Sequence, residues 1–285
     1  MTNYTDLINV DELMRGLSEP SWCVVDCRFD LMEPQKGYDD YSQGHIPGAQ
    51  YANLDTDLAG PVTVSTGRHP LPLADAFAET LAGWGIGNNS QVIVYDQAGG
   101  AIAARLWWML RWVGHEHVAV LDGGYSAWQQ AGYPVSDNDE TVAPAEFRPM
   151  PDSELVISTD ELKASIDSGE APPIVDARDS ERYAGRLEPI DSLAGHIPGA
   201  VNLPFSESLD IDGSWKSPDE LRKAWSRALG EDSGRPWVSM CGSGVTACHL
   251  ALSARLAGYA EPRLYVGSWS EWIRDPDRPV AGDRT

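Results

Sequence analysis

The chain has 285 residues, of which 42% are hydrophobic and 22% charged, and its formal net charge is -22. That length holds one large domain or two ordinary ones, and so acidic a surface is repelled by a nucleic-acid backbone, which argues against a nucleic-acid partner. No run approaches the ~18 apolar residues of a membrane span. The opening stretch lacks a basic segment followed by an apolar one, and four cysteines, two of them in the strand-like "WCVVDC", do not look like a disulfide framework. The expectation is a cytoplasmic protein with reduced thiols and no membrane contact.

In chain order, the first strand signal is "VVDCR" (24–28), followed by the turn-like "GHIPGAQYANL" (44–54), then "GRHPLP" with His69 between turn residues. A strand-to-loop stretch "QVIVYDQAGG" (91–100) carries Asp96. "GHEHV" (114–118) sets His115 and His117 at a metal-like spacing, at a helix-to-strand turn with no further ligand in view. After "LDGGYSAWQQAGYPV" (121–135) comes a polar stretch with Pro144, Pro149 and Pro151, which reads as a linker. "STDELKAS" then opens a helix with a capping box, Ser158 followed three residues later by Glu161.

From here the chain repeats itself. "IVDAR" (174–178), "GHIPGAVNLPF" (195–205), "PWVSMCGSGV" (236–245) and "YVGSWSEWIRDPDRPV" (265–280) return in the same order, about 150 residues after their counterparts. Two homologous domains follow: residues 1–138, a linker at 139–153, and residues 154–285. Each alternates short apolar strands with amphipathic helical patterns, so the fold class is α/β, each domain a mainly parallel sheet with helices on both faces.

The repeat separates scaffold from function. His45 and His196 both lie in "GHIPGA" and read as turn and packing residues. Asp26 with Arg28, and Asp176 with Arg178, read as structural ion pairs. The halves differ where "CGSGVTACHL" begins: Cys241 ends a strand, glycines follow, and Val245, Cys248, Leu252 and Leu256 fall at helical spacing. In an open parallel sheet, ligands bind beyond the carboxyl ends of the strands. The backbone N–H groups of a helix N-terminus favour negative charge, and such a setting favours a thiolate. A small core cysteine is the other reading of this turn. Asp96 holds the matching place in the first half and cannot do thiolate chemistry, so only the second domain can be active in this way.

The two "GHIPGA" turns, the D-x-R strands, "LDGGYSAW" with its counterpart, and the loop "CGSGVTA" together resemble the tandem rhodanese-like sulfurtransferases over nearly the whole chain. The loop is similar to that of the 3-mercaptopyruvate branch. Thiosulfate-specific members carry an arginine and a lysine after the cysteine, where this chain has Gly242 and Ser243. The resemblance implies a sulfur transfer through a Cys241 persulfide. Gly242, Gly244, Val245 and Thr246 form the loop around the sulfur, and Ser243, His69 and Asp55 handle protons. It implies Arg182 as binder of the donor carboxylate. Arg186 is a second candidate, with a solvated surface charge as the alternative, because the chain looks two residues shorter here than the animal enzymes. A small-molecule sulfur donor and a thiol acceptor, such as a thioredoxin-like protein or a small thiol, are the implied partners, with no metal or organic cofactor.

Other readings fit less well. "GSGVTA" matches a dinucleotide-binding glycine pattern with Glu261 near the usual acidic spacing, but it falls late in its domain and leaves the cysteine unexplained. A cysteine phosphatase needs an arginine six residues after the nucleophile, where Ala247 stands. A thiosulfate sulfurtransferase with an uncharged loop and a noncatalytic persulfide carrier remain as alternatives.

Overall fold

The computed structural model describes residues 3–138, 141–231 and 234–283, so positions 139 and 140 of the expected linker, and the last two positions of the chain, lie outside the described residues. The chain forms two compact units. The first comprises Met1–Gly60, Leu71–Asp152 and Asp210–Trp215; the second comprises Pro61–Pro70, Ser153–Leu209 and Lys216–Thr285. Residues 61–70 thus precede the linker in sequence and are counted with the second unit, and residues 210–215 make the opposite exchange.

The first unit runs β1 (Leu7–Ile8), α1 (Val10–Gly16), β2 (Trp22–Asp26), α2 (Lys36–Gln43), β3 (Gln50–Tyr51), α3 (Ala74–Gly83), β4 (Gln91–Tyr95), α4 (Ala103–Trp112), β5 (Val118–Leu121) and α5 (Gly124–Gln130). Its strands form one parallel sheet in the order β1-β5-β4-β2-β3. Every residue of β4 is buried, as the continuous apolar run "VIV" of a strand covered on both faces requires. The second unit runs α6 (Thr159–Ser168), β6 (Ile174–Asp176), α7 (Ser180–Ala184), β7 (Val201–Asn202), α8 (Pro218–Leu229), β8 (Val238–Met240), α9 (Thr246–Leu256), β9 (Arg263–Leu264) and α10 (Ser268–Trp272). Its parallel sheet is ordered β7-β6-β8-β9, and a parallel bridge from Val156 to Leu264 stands where β1 stands in the first. The two sheets therefore repeat one topology, as the sequence repeat anticipates.

The shared motifs are scaffold. At the end of β2, Asp26 holds the Arg28 guanidinium (Nη2 to Oδ2, 2.6 Å), and Arg28 Nη2 also donates to the Gly44 carbonyl at 2.7 Å. Arg178 repeats this on Asp176 (2.7 Å) and the Gly195 carbonyl (2.7 Å). Each guanidinium lies over an aromatic face, Tyr125 for Arg28 and Trp269 for Arg178. Both pairs are buried, and a buried charge is tolerated only when paired and hydrogen-bonded in this way. His45 stacks on Tyr41 and His196 on Tyr183, each with Nδ1 on the carbonyl of its stacking partner. The Ser158–Glu161 capping box forms. Trp107, Trp108, Trp128 and Trp272 are fully buried core. His115 is buried in the first unit against Phe147, while the His117 ring meets the Asn3 amide. Among the described residues no helix is long and apolar enough to cross a membrane.

Candidate active site

Cys241 follows β8 directly, and α9 begins at Thr246, so the loop between them is as tight as the sequence suggests. The cysteine is 2% exposed. The backbone N–H of Gly244 donates to its Sγ at 3.1 Å. Gly244 has φ +79°, and a Cβ there would stand 2.4 Å from the Val266 carbonyl oxygen, so both the backbone and the space require glycine. Val245 is buried ahead of α9, and Thr246 is its half-buried first residue.

The start of α10 braces this loop. The N–H of Trp269 donates to the Cys241 carbonyl (3.0 Å) and that of Ser270 to the Gly242 carbonyl (2.9 Å). The Cys241 N–H donates to the Ser268 hydroxyl oxygen at 3.1 Å, and that hydroxyl donates to the Tyr265 carbonyl at 2.8 Å. Ser268 has φ +52°, the sole positive φ outside glycine among the described residues. A side chain held in that region costs about 1–3 kcal/mol.

The segment 61–70 brings His69 to the loop. His69 Nδ1 and the Ser243 hydroxyl are 2.7 Å apart, and both residues are buried. The segment is fixed by its backbone: the Gly67 N–H donates to Glu271 (3.2 Å) and the Arg68 N–H to the Ser270 hydroxyl oxygen (3.1 Å). Asp55 belongs to the first unit, in a turn where its N–H donates to the Asn53 side chain (2.8 Å). Burial raises the Asp55 carboxyl above its ordinary value.

Arg182, on α7, holds Glu188 through Nε and Nη2 (3.1 and 2.8 Å) and Asp191 through Nη2 (3.1 Å). Its guanidinium lies beside the loop: Nη2 and Nη1 are 3.5 and 3.6 Å from where a Cβ on Gly242 would stand. Behind it, burial opposes the Arg178 charge, yet Asp176, Glu188 and Cys241 together outweigh burial and raise its pKa. Arg186 is on the surface, paired with Glu181 (2.6 Å) and Asp283 (2.8 Å), which fits the solvated-charge alternative. The second guanidinium beside Gly242 is that of Arg68, with Nη2 3.1 Å from the same Cβ position. Sequence reading passed over Arg68, although it directly precedes His69. It also passed over Ser268, although the repeat has glycine at that place.

A profile of the rhodanese-like domain matches residues 9–131 and 158–275. The chain is 45% identical over 280 residues to a protein of Pseudomonas aeruginosa named as a probable 3-mercaptopyruvate sulfurtransferase, covering 96% of this chain and 97% of that one. It is 35% identical over 270 residues to the thiosulfate sulfurtransferase of Bos taurus, covering 92% and 89%. The solved 3-mercaptopyruvate sulfurtransferase of Leishmania major superposes with a TM-score of 0.84 at 31% identity, covering 95% of this chain and 76% of that one.

Proposed function

This chain belongs to the rhodanese-like domain family, and from that premise we propose that it transfers sulfur from 3-mercaptopyruvate to a thiol or cyanide acceptor through a persulfide on Cys241. The observation that carries the reading is the loop itself: a buried cysteine whose sulfur already accepts a loop N–H, with His69 of the segment 61–70 against the loop's Ser243 and an arginine beside Gly242. The Cys241 thiolate attacks the donor sulfur. The donor C–S bond breaks, its electron pair leaves on carbon as the pyruvate enolate, and a proton delivered to that carbon gives pyruvate. Cys241 then carries the transferred sulfur. The Gly244 N–H stabilises negative charge on sulfur, and the Ser243–His69 pair moves the proton. Arg182 holds the donor carboxylate through charge-assisted hydrogen bonds. The acceptor attacks the outer sulfur and restores the thiolate, so the kinetics are ping-pong.

A second reading, thiosulfate as the preferred donor, is favoured by the likeness to a thiosulfate sulfurtransferase. Against it, neither residue after Cys241 is cationic, so the loop side chains offer no added charge for a compact dianion. Thiocyanate formation from each donor, with cyanide as acceptor, separates the two. The expected result is a higher kcat/KM for 3-mercaptopyruvate; a higher value for thiosulfate selects the second reading.

A further inference from the structure

The backbone that carries His69 to Ser243 is held by side chains of the second unit. Residues 61–65 are exposed, whereas Gly67 and His69 are buried, so the chain turns inward just before the histidine. Among the described residues the backbone of 61–68 makes no hydrogen bond to another backbone group. Its hydrogen bonds out of the segment are the Gly67 N–H on Glu271 Oε2 (3.2 Å), the Arg68 N–H on the Ser270 hydroxyl oxygen (3.1 Å) and the Arg68 guanidinium on Asp191. The Glu271 carboxylate is itself fixed. Its Oε1 accepts the Thr159 hydroxyl at the start of α6, and a Cβ on Gly267 would overlap Oε2. Gly67 packs closely against the same helix start, since a Cβ there would stand 2.5 Å from the Gly267 carbonyl oxygen.

The repeat separates these ties. Ser270 is matched by Ser126, and the N–H of each braces its own loop. Glu271 is matched by Ala127 ("SEW" against "SAW"), so the carboxylate belongs only to the copy that carries Cys241. A buried N–H that loses its acceptor either stays unpaired at a cost or moves out to water. Gly67 is two residues from His69, so such a move carries the imidazole away from the Ser243 hydroxyl, which lies 2.7 Å from its Nδ1.

We propose that Glu271 is a positioning residue for proton transfer: by accepting the Gly67 N–H it docks the segment 61–70 on α10 and holds His69 against Ser243. The proposal rests on the function given above for the chemistry that His69 performs, though not for the docking itself.

The test compares Glu271→Ala with Glu271→Gln, whose amide oxygen still accepts the Gly67 N–H while its NH2 donates to the Thr159 hydroxyl. In steady-state assays Glu271→Ala lowers kcat with 3-mercaptopyruvate about 10- to 100-fold, as for a misplaced acid–base group, and leaves KM within about 3-fold. Glu271→Gln recovers most of the loss. In a His69→Ala background Glu271→Ala costs less than about 2-fold more, because the two act through one group; losses that multiply overturn the proposal. A second readout does not depend on the donor. Diethyl pyrocarbonate acylates neutral imidazoles, and peptide mass spectrometry reads each site. The His69 rate rises about 10-fold in Glu271→Ala, as for a local opening, with His45, His115 and His196 unchanged. A His69 rate that stays at the wild-type value, or four rates that rise together, overturns the proposal. If wild type fails to turn over 3-mercaptopyruvate, the donor reading falls, and the His69 rate still decides the role of Glu271. Should Glu271→Ala fold poorly, Gly67→Ala lifts the same backbone from the Gly267 carbonyl with Glu271 in place, and the same two outcomes are expected of it.

Discussion

The loop after β4 and the loop after β8 occupy the same place in two copies of one topology, and they differ in what fills them. After β4 the residue is Asp96, whose carboxylate accepts the N–H groups of Gly100 (3.0 Å), Ile102 (2.8 Å) and Ala103 (3.1 Å). After β8 it is Cys241, whose sulfur accepts the N–H of Gly244. Both loops are braced alike: the N–H groups of Tyr125 and Ser126 donate to the carbonyls of Asp96 and Gln97, as those of Trp269 and Ser270 donate to Cys241 and Gly242. The fold thus makes an anion-binding nest twice. In the first copy a fixed side-chain carboxyl fills it; in the second it holds a cysteine, the group that carries sulfur in the function proposed above. The scaffold provides the nest, and one residue decides between structure and chemistry.

A second difference sharpens the first. Gly124 and Ser268 hold matching places, with φ +58° and +52°. Glycine adopts that conformation freely, so the first copy carries no strain. The second copy puts a serine there, and its hydroxyl accepts the Cys241 N–H. Among the described residues, this is the one side chain held at positive φ, and it braces Cys241.

These differences can be broken in order of expected size. Giving the active loop the residue of its inert copy, Cys241→Asp, lowers sulfur transfer by about 10³-fold or more, because the nucleophile is lost; steady-state thiocyanate formation reads it. Asp96→Ala strands the three N–H groups of the first loop and destabilises the protein by about 2–4 kcal/mol, measured by urea unfolding, while kcat below the lowered Tm is unchanged. Ser268→Ala keeps the strain and loses the hydrogen bond, whereas Ser268→Gly loses both. Ser268→Ala is therefore the less stable of the two by about 1 kcal/mol; equal stabilities would remove the strain argument. The smallest effect is on pH dependence. Burial raises the Asp96 carboxyl above its ordinary value, and the three backbone N–H groups offset only part of this. Native Asp96 therefore binds its proton more tightly than the unfolded chain does, so its contribution to stability is full below the ordinary carboxyl range and declines as pH rises through the raised value. Asp96→Asn lacks that decline. Its stability relative to wild type rises between about pH 4 and the raised value, as denaturant midpoints across that range would show.

Much of this was legible in the chain because the signals are local and occur twice. The D-x-R pairs, the "GHIPGA" turns and the strand-to-helix turn at Cys241 each lie within a few consecutive residues, and comparing the halves isolates Asp96 against Cys241. Arg68 was not legible for a physical reason: its partners Asp191 and Ser270 are 123 and 202 residues away, and no periodicity links them. The composition of the units was hidden likewise, because a boundary drawn at one point of the sequence cannot express the exchange of residues 61–70 and 210–215. Ser268 could have been found, since the repeat sets it against the second glycine of "LDGGYSAW".

The most direct test of the central claim is a single turnover with 3-mercaptopyruvate and no acceptor, followed by anaerobic peptide mass spectrometry. The expected result is one added sulfur atom on Cys241 for each pyruvate released, with Cys23, Cys27 and Cys248 unchanged. Pyruvate released without sulfur on Cys241, or sulfur on another cysteine, would contradict it.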